Sequence, residues 1–359
     1  MTSPSQARLT IDLAALAHNF AVITEQAGGA EVAPVVKADG YGLGAGRIAR
    51  RLMAEGARSF FVARLSEGEA LRAALGPEPT IYVLDGLASG AAARLVAAEL
   101  TPILSTVAQV GAARAWAAAN GGLAVGLQAD TGMNRQGFTP QEVQALAQSR
   151  VALDGFNIRL VMSHLGSGSE PDDPRNGEQL AGFRALRSLF PESRASLAAS
   201  GGIFLDPDYH FDMVRPGISL YGGGPREIPD PRLRAVARLT APILDVRGLR
   251  PGDRVGYGSS FTAHRPMRIA VVGAGYADGV IRAAKVGGHA WLAGALRPLV
   301  VVTMDLLVIE IGDAPAEVGE HVELLGPNVL LDELAAAAGT VAHEVLVRLS
   351  TRAERVYLD

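Results

Sequence analysis

The 359-residue chain contains no cysteine. That absence excludes disulfides, thiolate metal sites and cysteine nucleophiles. Charge is sparse: Asp, Glu, Lys and Arg make up 19% of the residues, the formal net charge is −4, and no basic run reaches five residues. A nucleic-acid or membrane-surface partner calls for clustered positive charge, so neither is expected. Long apolar runs are missing too. The longest charge-free stretch, 115–129, is too short and too rich in Gly and Asn to span a bilayer. The first twenty residues lack a cationic segment followed by an unbroken apolar core, because Asp12 and His18 interrupt it. A soluble cytoplasmic protein is the expectation. What is present is material for a large core, since 48% of the residues are hydrophobic, and disorder is excluded.

The length allows one large α/β barrel with a smaller domain, or two to three ordinary domains. Up to about residue 222, short apolar runs alternate with Ala-rich helical patterns. Eight runs are candidate strands: 33–37, 60–63, 80–84, 101–105, 123–129, 159–163, 195–199 and 217–221. The gaps hold crossover helices; over 141–148, Val143, Leu146 and Ala147 share one face. Eight strand–helix repeats over roughly 220 residues predict a parallel (β/α)8 barrel. A doubly wound open sheet competes, but no GxGxxG follows the first strand. The pattern changes at the Pro-rich connector near 225–234. Beyond it, β-type runs at 239–246, 268–272, 298–304, 306–311, 321–325 and 345–350 are punctuated by Gly and Pro, and only 331–338 reads as helix. The fold class is therefore α/β, with a barrel over 8–228 and a mostly β domain over 229–359.

In such a barrel, chemistry gathers at the C-terminal ends of the strands. Lys37 ends the first run and enters a Gly-rich turn. A desolvated lysine has a lowered pKa, and a neutral amine can attack an aldehyde to form a Schiff base; a salt bridge or a snorkelling lysine is the plainer reading. Ser200-Gly-Gly and Gly217 fall beside the last two strands, where many barrels bind phosphate through backbone N–H groups and a hydroxyl, although glycine also simply permits tight turns. Together with Lys37 they suggest a phosphate-bearing aldehyde cofactor, and pyridoxal 5'-phosphate (PLP) fits. His164 is a base, a ligand or a satisfied core histidine; no HxH, HExxH or carboxylate cluster accompanies it, so no metal is expected. Arg215 pairs with a carboxylate such as Asp212 or faces a ring nitrogen. Asp39 and Asp130 read first as turn formers. Tyr257 and Tyr276, in Gly-rich surroundings, either project into a cleft or pack on the surface.

With these residues in view, the chain resembles the alanine racemases, fold type III PLP enzymes, nearly from end to end. VVKADGYGLGA (35–45) is similar to the family's PLP-lysine motif. DTGMNRQGF (130–138), SHLG (163–166), HFDMVRPGISLYG (210–222), VGYGSSFTA (255–263), GYADG (275–279) and TMD (303–305) resemble further family motifs in the family's order. The resemblance implies that Lys37 carries PLP. Tyr41, Ser200, Gly217, Ile218 and His343 would hold the phosphate. Arg135 would approach the ring's phenolic oxygen, His164 would pack on the ring and Arg215 would face the pyridine nitrogen. Tyr257 would reach the site from the other subunit of a homodimer, and Met304, Tyr276 and Asp305 would join Arg135 in binding alanine. RLTIDL (8–13) would join the β domain. Four positions depart from the family's pattern. Gln128 stands where many members have a lysine, often carbamylated, Ala199 where Asn is frequent, His343 where Tyr is usual, and Val300-Val301 where Gly-Arg is common.

The implied activity is interconversion of L- and D-alanine, serving peptidoglycan synthesis or D-alanine catabolism. Racemisation removes a proton from one face of Cα and returns one to the other, so two bases flanking a flat cofactor suffice. By resemblance Lys37 serves the D-isomer and Tyr257 the L-isomer. A tyrosine acting as base near neutral pH needs a downward pKa shift of roughly two to three units, for which Arg215, His164 and Lys37 are the candidate positive charges. A broad-specificity racemase, a PLP-dependent decarboxylase, a PLP-binding protein without turnover and a catalytically idle homologue are the rival readings.

Overall fold

The computed structural model describes residues 6–149, 151–349 and 351–359. Residues 1–5, which head the segment expected to lack a leader, and Ser350, which ends the expected strand at 345–350, lie outside the described residues. The chain divides into two compact units, Phe20–Leu220 and the segment up to Asn19 together with Tyr221–Asp359. The division falls ahead of the boundary expected at residue 228.

Strand β1 (Arg8–Asp12) belongs to the second unit. The first unit is built on β2 (Glu31–Val32), β3 (Ser59–Val62), β4 (Thr80–Val83), β5 (Leu100–Leu104), β6 (Leu123–Gln128), β7 (Phe156–Met162), β8 (Arg194–Ser196) and β9 (Met213–Val214). β3 to β8 pair in sequence order, all parallel, and β2 pairs with β9. Two parallel bridges, Val35↔Phe61 and Ala199↔Arg215, join that pair to the two edges of the six-stranded sheet, so the ring closes through eight strands. The strands β3 and β5 are buried throughout, as parallel strands covered by helices must be. The covering helices carry ordinary start and stop signals. Thr106 caps Val107–Asn120 by accepting from Gln109 N (3.2 Å), and Gly121 ends that helix at φ +88°. Thr139 and Glu142 form a capping box on Pro140–Gln148, which buries Val143 and Leu146.

The strand expected at 217–221 is a correction: Ile218–Tyr221 is a 3₁₀ turn, and the eighth strand is Met213–Val214, just before it. Pro216 has no N–H to give a ladder, and the N–H groups of Gly217 and Ser219 go instead to the Ser200 hydroxyl. Arg215 consequently follows its strand, at the end where barrel chemistry sits.

The second unit adds β10 (Ala237–Leu249), β11 (Arg254–Val255), β12 (Phe261–Thr262), β13 (Met267–Val272), β14 (His289–Leu292), β15 (Ala295–Val302), β16 (Leu307–Glu310), β17 (His321–Leu325) and β18 (Glu354–Leu358). The order β13-β16-β15-β14-β17-β10, with β10 also pairing β13, closes a six-stranded ring. The long β10 serves both ends: it pairs with β17 up to Pro242 and with β13 from Ile243, and the latter pairing is irregular between Ile243 and Asp245. β1 lies between β10 and β18. Val301 packs with Met267, Ile269 and Val308 in this unit's core. The expected strand at 345–350 is a second correction, because Ala342–Arg348 is a helix. Ala342, Val345, Leu346 and Leu349 are buried, a spacing with the helical period. Among the described residues no helix is long and apolar enough to cross a membrane.

Ile11 is wholly buried on β1. Ile11→Ala is expected to cost about 2–5 kcal/mol, read by denaturant unfolding. A loss below about 1 kcal/mol would show that β1 is not integral to the second unit's core.

Candidate active site

Lys37 opens a turn whose backbone is left-handed for four residues in succession: Ala38 (φ 52°), Asp39 (φ 54°), Gly40 (φ 63°) and Tyr41 (φ 56°). L-residues other than Gly avoid this region at a cost of roughly 1–2 kcal/mol each, so surrounding bonds must hold the turn. Gly42 N donates to Ala38 O (2.8 Å), Gly44 N to Asp39 O (2.8 Å) and Ala45 N to Asp39 Oδ1 (2.9 Å). Asp39 is thus the turn former expected of it. Burial lowers the Lys37 pKa, and Arg135 lowers it further, against opposing pulls from Glu67 and Asp85.

Arg215 follows β9 and is 3% exposed. Its guanidinium donates to Ser196 Oγ (2.5 Å), Ser163 O (2.6 Å), Leu197 O (3.3 Å) and His164 Nδ1 (3.3 Å). Every one of these acceptors is neutral. The pairing with Asp212 does not form; Asp212 accepts from Ala195 N and lies 4.0 Å from Arg187. Burial pushes Arg215 down to about 9, which still leaves it a cation at neutral pH. His164 follows β7 and is pushed down to about 3 by burial and by the charges of Arg215, Arg135 and Lys37. Its ring is therefore neutral, with Nδ1 as acceptor. This corrects the expectation that His164 supplies positive charge. The strand ends bring Arg215, Arg135 and Lys37 within electrostatic reach of His164, and Arg135 within reach of Lys37.

Below this group lies a small cradle. Ser200 Oγ accepts from Gly217 N (3.0 Å) and Ser219 N (3.2 Å), which leaves its own proton to donate outward. A Cβ on Gly217 would lie 2.2 Å from the Tyr41 hydroxyl, so any other residue there would force the Tyr41 ring to shift. Ser219 Oγ is buried without a hydrogen-bond partner. Ala199, where a capping side chain would stand, offers none and serves the barrel through its bridge to Arg215. Hydroxyls and unneutralised cations together suit an anionic, phosphate-bearing group with an electrophilic carbon near Lys37.

Arg135 is exposed on the loop after β6. Asp130 shapes the loop by accepting at Oδ1 from Gly132 N, Met133 N and Asn134 N. Gln128 is buried and donates through Nε2 to Gln136 O (3.1 Å); Gln136 donates to Ser105 Oγ (3.1 Å). Gln128 therefore holds the backbone beside Arg135, not its guanidinium.

The second unit carries the remaining expected residues. Tyr257 is 89% exposed on a Gly-flanked 3₁₀ turn. It lines an open groove of about 780 Å³ with Tyr276, Met304 and Asp305. Tyr276 N donates to Thr303 O and Ala277 N to Met304 O, an approach so close that a Cβ on Gly275 would meet Thr303 O at 2.3 Å. Arg352 ties the two loops by pairing with Asp278 (3.1 Å) and Asp305 (2.6 Å). His343 is exposed on the helix Ala342–Arg348.

Three supporting residues were not expected. Gln179 donates to His164 O (3.0 Å) and accepts from Gly166 N (2.8 Å), holding the loop after β7. Arg352 and Glu67 are the others; Glu67 takes Ala38 N at 2.8 Å. The LSEG start of a helix flags Glu67 as a cap but not its reach to another loop. One signal for Lys37 went unused. Only two of the 33 basic residues are lysines, Lys37 and Lys285, so lysine is kept where arginine will not serve.

The chain is similar to known proteins over nearly its whole length. The family model described as alanine racemase, N-terminal domain, matches residues 11–225, and that described as alanine racemase, C-terminal domain, matches 236–357. A catabolic alanine racemase of Mesorhizobium japonicum is 43% identical, covering 98% of this chain and 93% of its own. A biosynthetic alanine racemase of Agrobacterium fabrum is 41% identical over the same shares. The crystal structure of alanine racemase from Bartonella henselae with covalently bound pyridoxal phosphate superposes with a TM-score of 0.94 at 33% identity, covering 99% of this chain and 100% of that one.

Two outcomes follow from the geometry. Gly217→Ala drives a methyl into the Tyr41 hydroxyl and should cost about 1–3 kcal/mol in denaturant unfolding; an unchanged midpoint would show that Tyr41 moves freely. His164 is uncharged in the fold and takes up a proton on unfolding. Its contribution to stability is therefore present above about pH 6.5 and lost as pH falls toward 3. The unloaded protein should lose more stability from pH 7 to 5 than His164→Gln does. Equal losses would contradict a neutral, buried imidazole.

Proposed function

This chain belongs to the alanine racemase family, and we propose that it performs the reaction with Lys37 and Tyr257 as the two proton-transfer groups of a site shared between subunits of a cytoplasmic homodimer. It is a PLP-dependent enzyme that interconverts L- and D-alanine. The observation that carries the assignment of residues is the cluster at the barrel mouth: a desolvated lysine and a buried guanidinium with only neutral acceptors, both within electrostatic reach of His164.

The residues present fit the cofactor. Tyr41, Ser200 and the backbone of Gly217 and Ile218 would hold its phosphate. Arg215 would face its ring nitrogen, where a guanidinium donates and keeps its proton. His164, neutral, would pack on the ring without adding charge. When bound, PLP withdraws electrons from the substrate's Cα and so acidifies the Cα–H bond.

The proton transfers fall to the chain. The lowered pKa of Lys37 leaves more of its amine unprotonated near neutral pH, as a base requires. Tyr257 projects into solvent on its own protomer, which fits a phenol that completes a neighbour's site. Lys37 takes the proton of D-alanine and Tyr257 that of L-alanine, each returning a proton as acid in the opposite direction. One turnover from L to D leaves the phenol protonated and the amine bare, which is the form that accepts D-alanine. Enantiomers have equal free energy in water, so the equilibrium constant is one. Biosynthetic and catabolic roles are then the same chemistry run against different concentrations. Arg135, Met304, Tyr276 and Asp305 would bind alanine.

The test is complementation. Lys37→Ala and Tyr257→Phe should each lower racemisation by at least about 10²-fold. Unfolded together and refolded, half of the resulting dimers would be mixed, each with one intact site, so activity should return to about a quarter of the wild-type level. Recovery of none, with mixed dimers demonstrated by mass, would refute the shared site.

A further inference from the structure

Glu67 sits at the third position of the helix Leu65–Leu75, the usual place for a carboxylate that caps its own helix. Its Oε2 does this, accepting from Ala63 N (2.7 Å) and Arg64 N (3.1 Å). Its Oε1 does something a cap does not need. It accepts from Ala38 N at 2.8 Å, 29 positions earlier and in the loop of another strand. Ala38 is the first left-handed residue after Lys37, and its N–H has no other acceptor in the turn. The next N–H bonds run elsewhere, Gly40 N to Val36 O and Gly42 N to Ala38 O.

We propose that Glu67 is a positioning residue of the active site: its carboxylate fastens the strained turn that carries Lys37 to the loop after β3 and sets the electrostatic surroundings of the amine. The proposal rests on the reading of Lys37 above. Four ionisable groups bear on that amine from the elements around it. Arg135 comes from the loop after β6 and His164 from the end of β7, the latter uncharged. Asp85 comes from the loop after β4, and its charge is met by Arg64 Nη1 at 2.6 Å. Glu67 is the fourth. Among the described residues it has no side-chain cation paired to it, so it is the anion left to oppose Arg135. A neutral amide in its place loses the charge and also turns an –NH2 toward one of three N–H donors. An aspartate keeps the charge but is one methylene too short to reach both loops.

The chain's two lysines make the test direct. In competitive acetylation of the unloaded protein from roughly pH 6 to 10, Lys37 is read by mass against Lys285. Glu67→Gln should move the Lys37 midpoint down by about one unit. Uptake of PLP, followed by visible absorbance, should slow about five- to tenfold. Glu67→Asp should keep the midpoint near that of the wild type while uptake slows. Glu69→Gln, on the same helix but paired outward with Arg94, should change neither. A Glu67→Gln protein that matches Glu69→Gln in both readouts overturns the proposal. Should Glu67→Gln not fold, wild-type uptake by Glu67→Asp overturns it equally. Absence of PLP uptake by the wild type would instead sink the assignment of Lys37, while the labelling midpoints still decide what Glu67 does.

Discussion

A positive charge buried without a negative one is the constraint around which this site is arranged. Arg215 spends its donors on a serine hydroxyl, two carbonyls and an imidazole nitrogen, none of them charged. Such a group is costly to bury and is retained only where it has a partner to meet. Its consequences spread outward. It helps to keep His164 neutral and joins the ends of β7 and β8 through Ser163 and Ser196. The Lys37 amine is made readily neutral by its own burial and by Arg135.

Backbone strain is the second element of the design. Four successive left-handed residues after Lys37 are far from what L-amino acids prefer. They persist because Asp39, Glu67 and the carbonyls of Val36, Ala38 and Asp39 take up the N–H groups of the turn and its flanks. The strain brings the Tyr41 hydroxyl back against Gly217. A similar close approach appears in the second unit, where Gly275 allows the Tyr276 and Met304 loops to touch through their backbones.

Much of this was legible in the residues. The barrel's strand count follows from eight apolar runs, and the site residues from what stands at their ends. The failures have physical causes. Residues 217–221 look apolar enough for a strand, but Pro216 and the serine-directed N–H bonds coil them into a 3₁₀ turn. The run 345–350 alternates as a strand does, yet Ala342, Val345, Leu346 and Leu349 bury one helical face. The charge of His164 is not legible in the sequence, because it depends on burial and on three cations distant in sequence. Gln128, which stands where many family members have a lysine, supports through its amide the backbone beside Arg135. Glu67 and Gln179 were invisible because their value lies in reaching other loops.

The central claim is that the amine set among these cations, and no other, holds the cofactor. With two lysines in the chain, borohydride reduction of the PLP-loaded protein followed by peptide mass mapping decides it. The account requires the added pyridoxyl mass on the peptide containing Lys37 and none on that containing Lys285. The mass on Lys285, or on neither peptide, would contradict it.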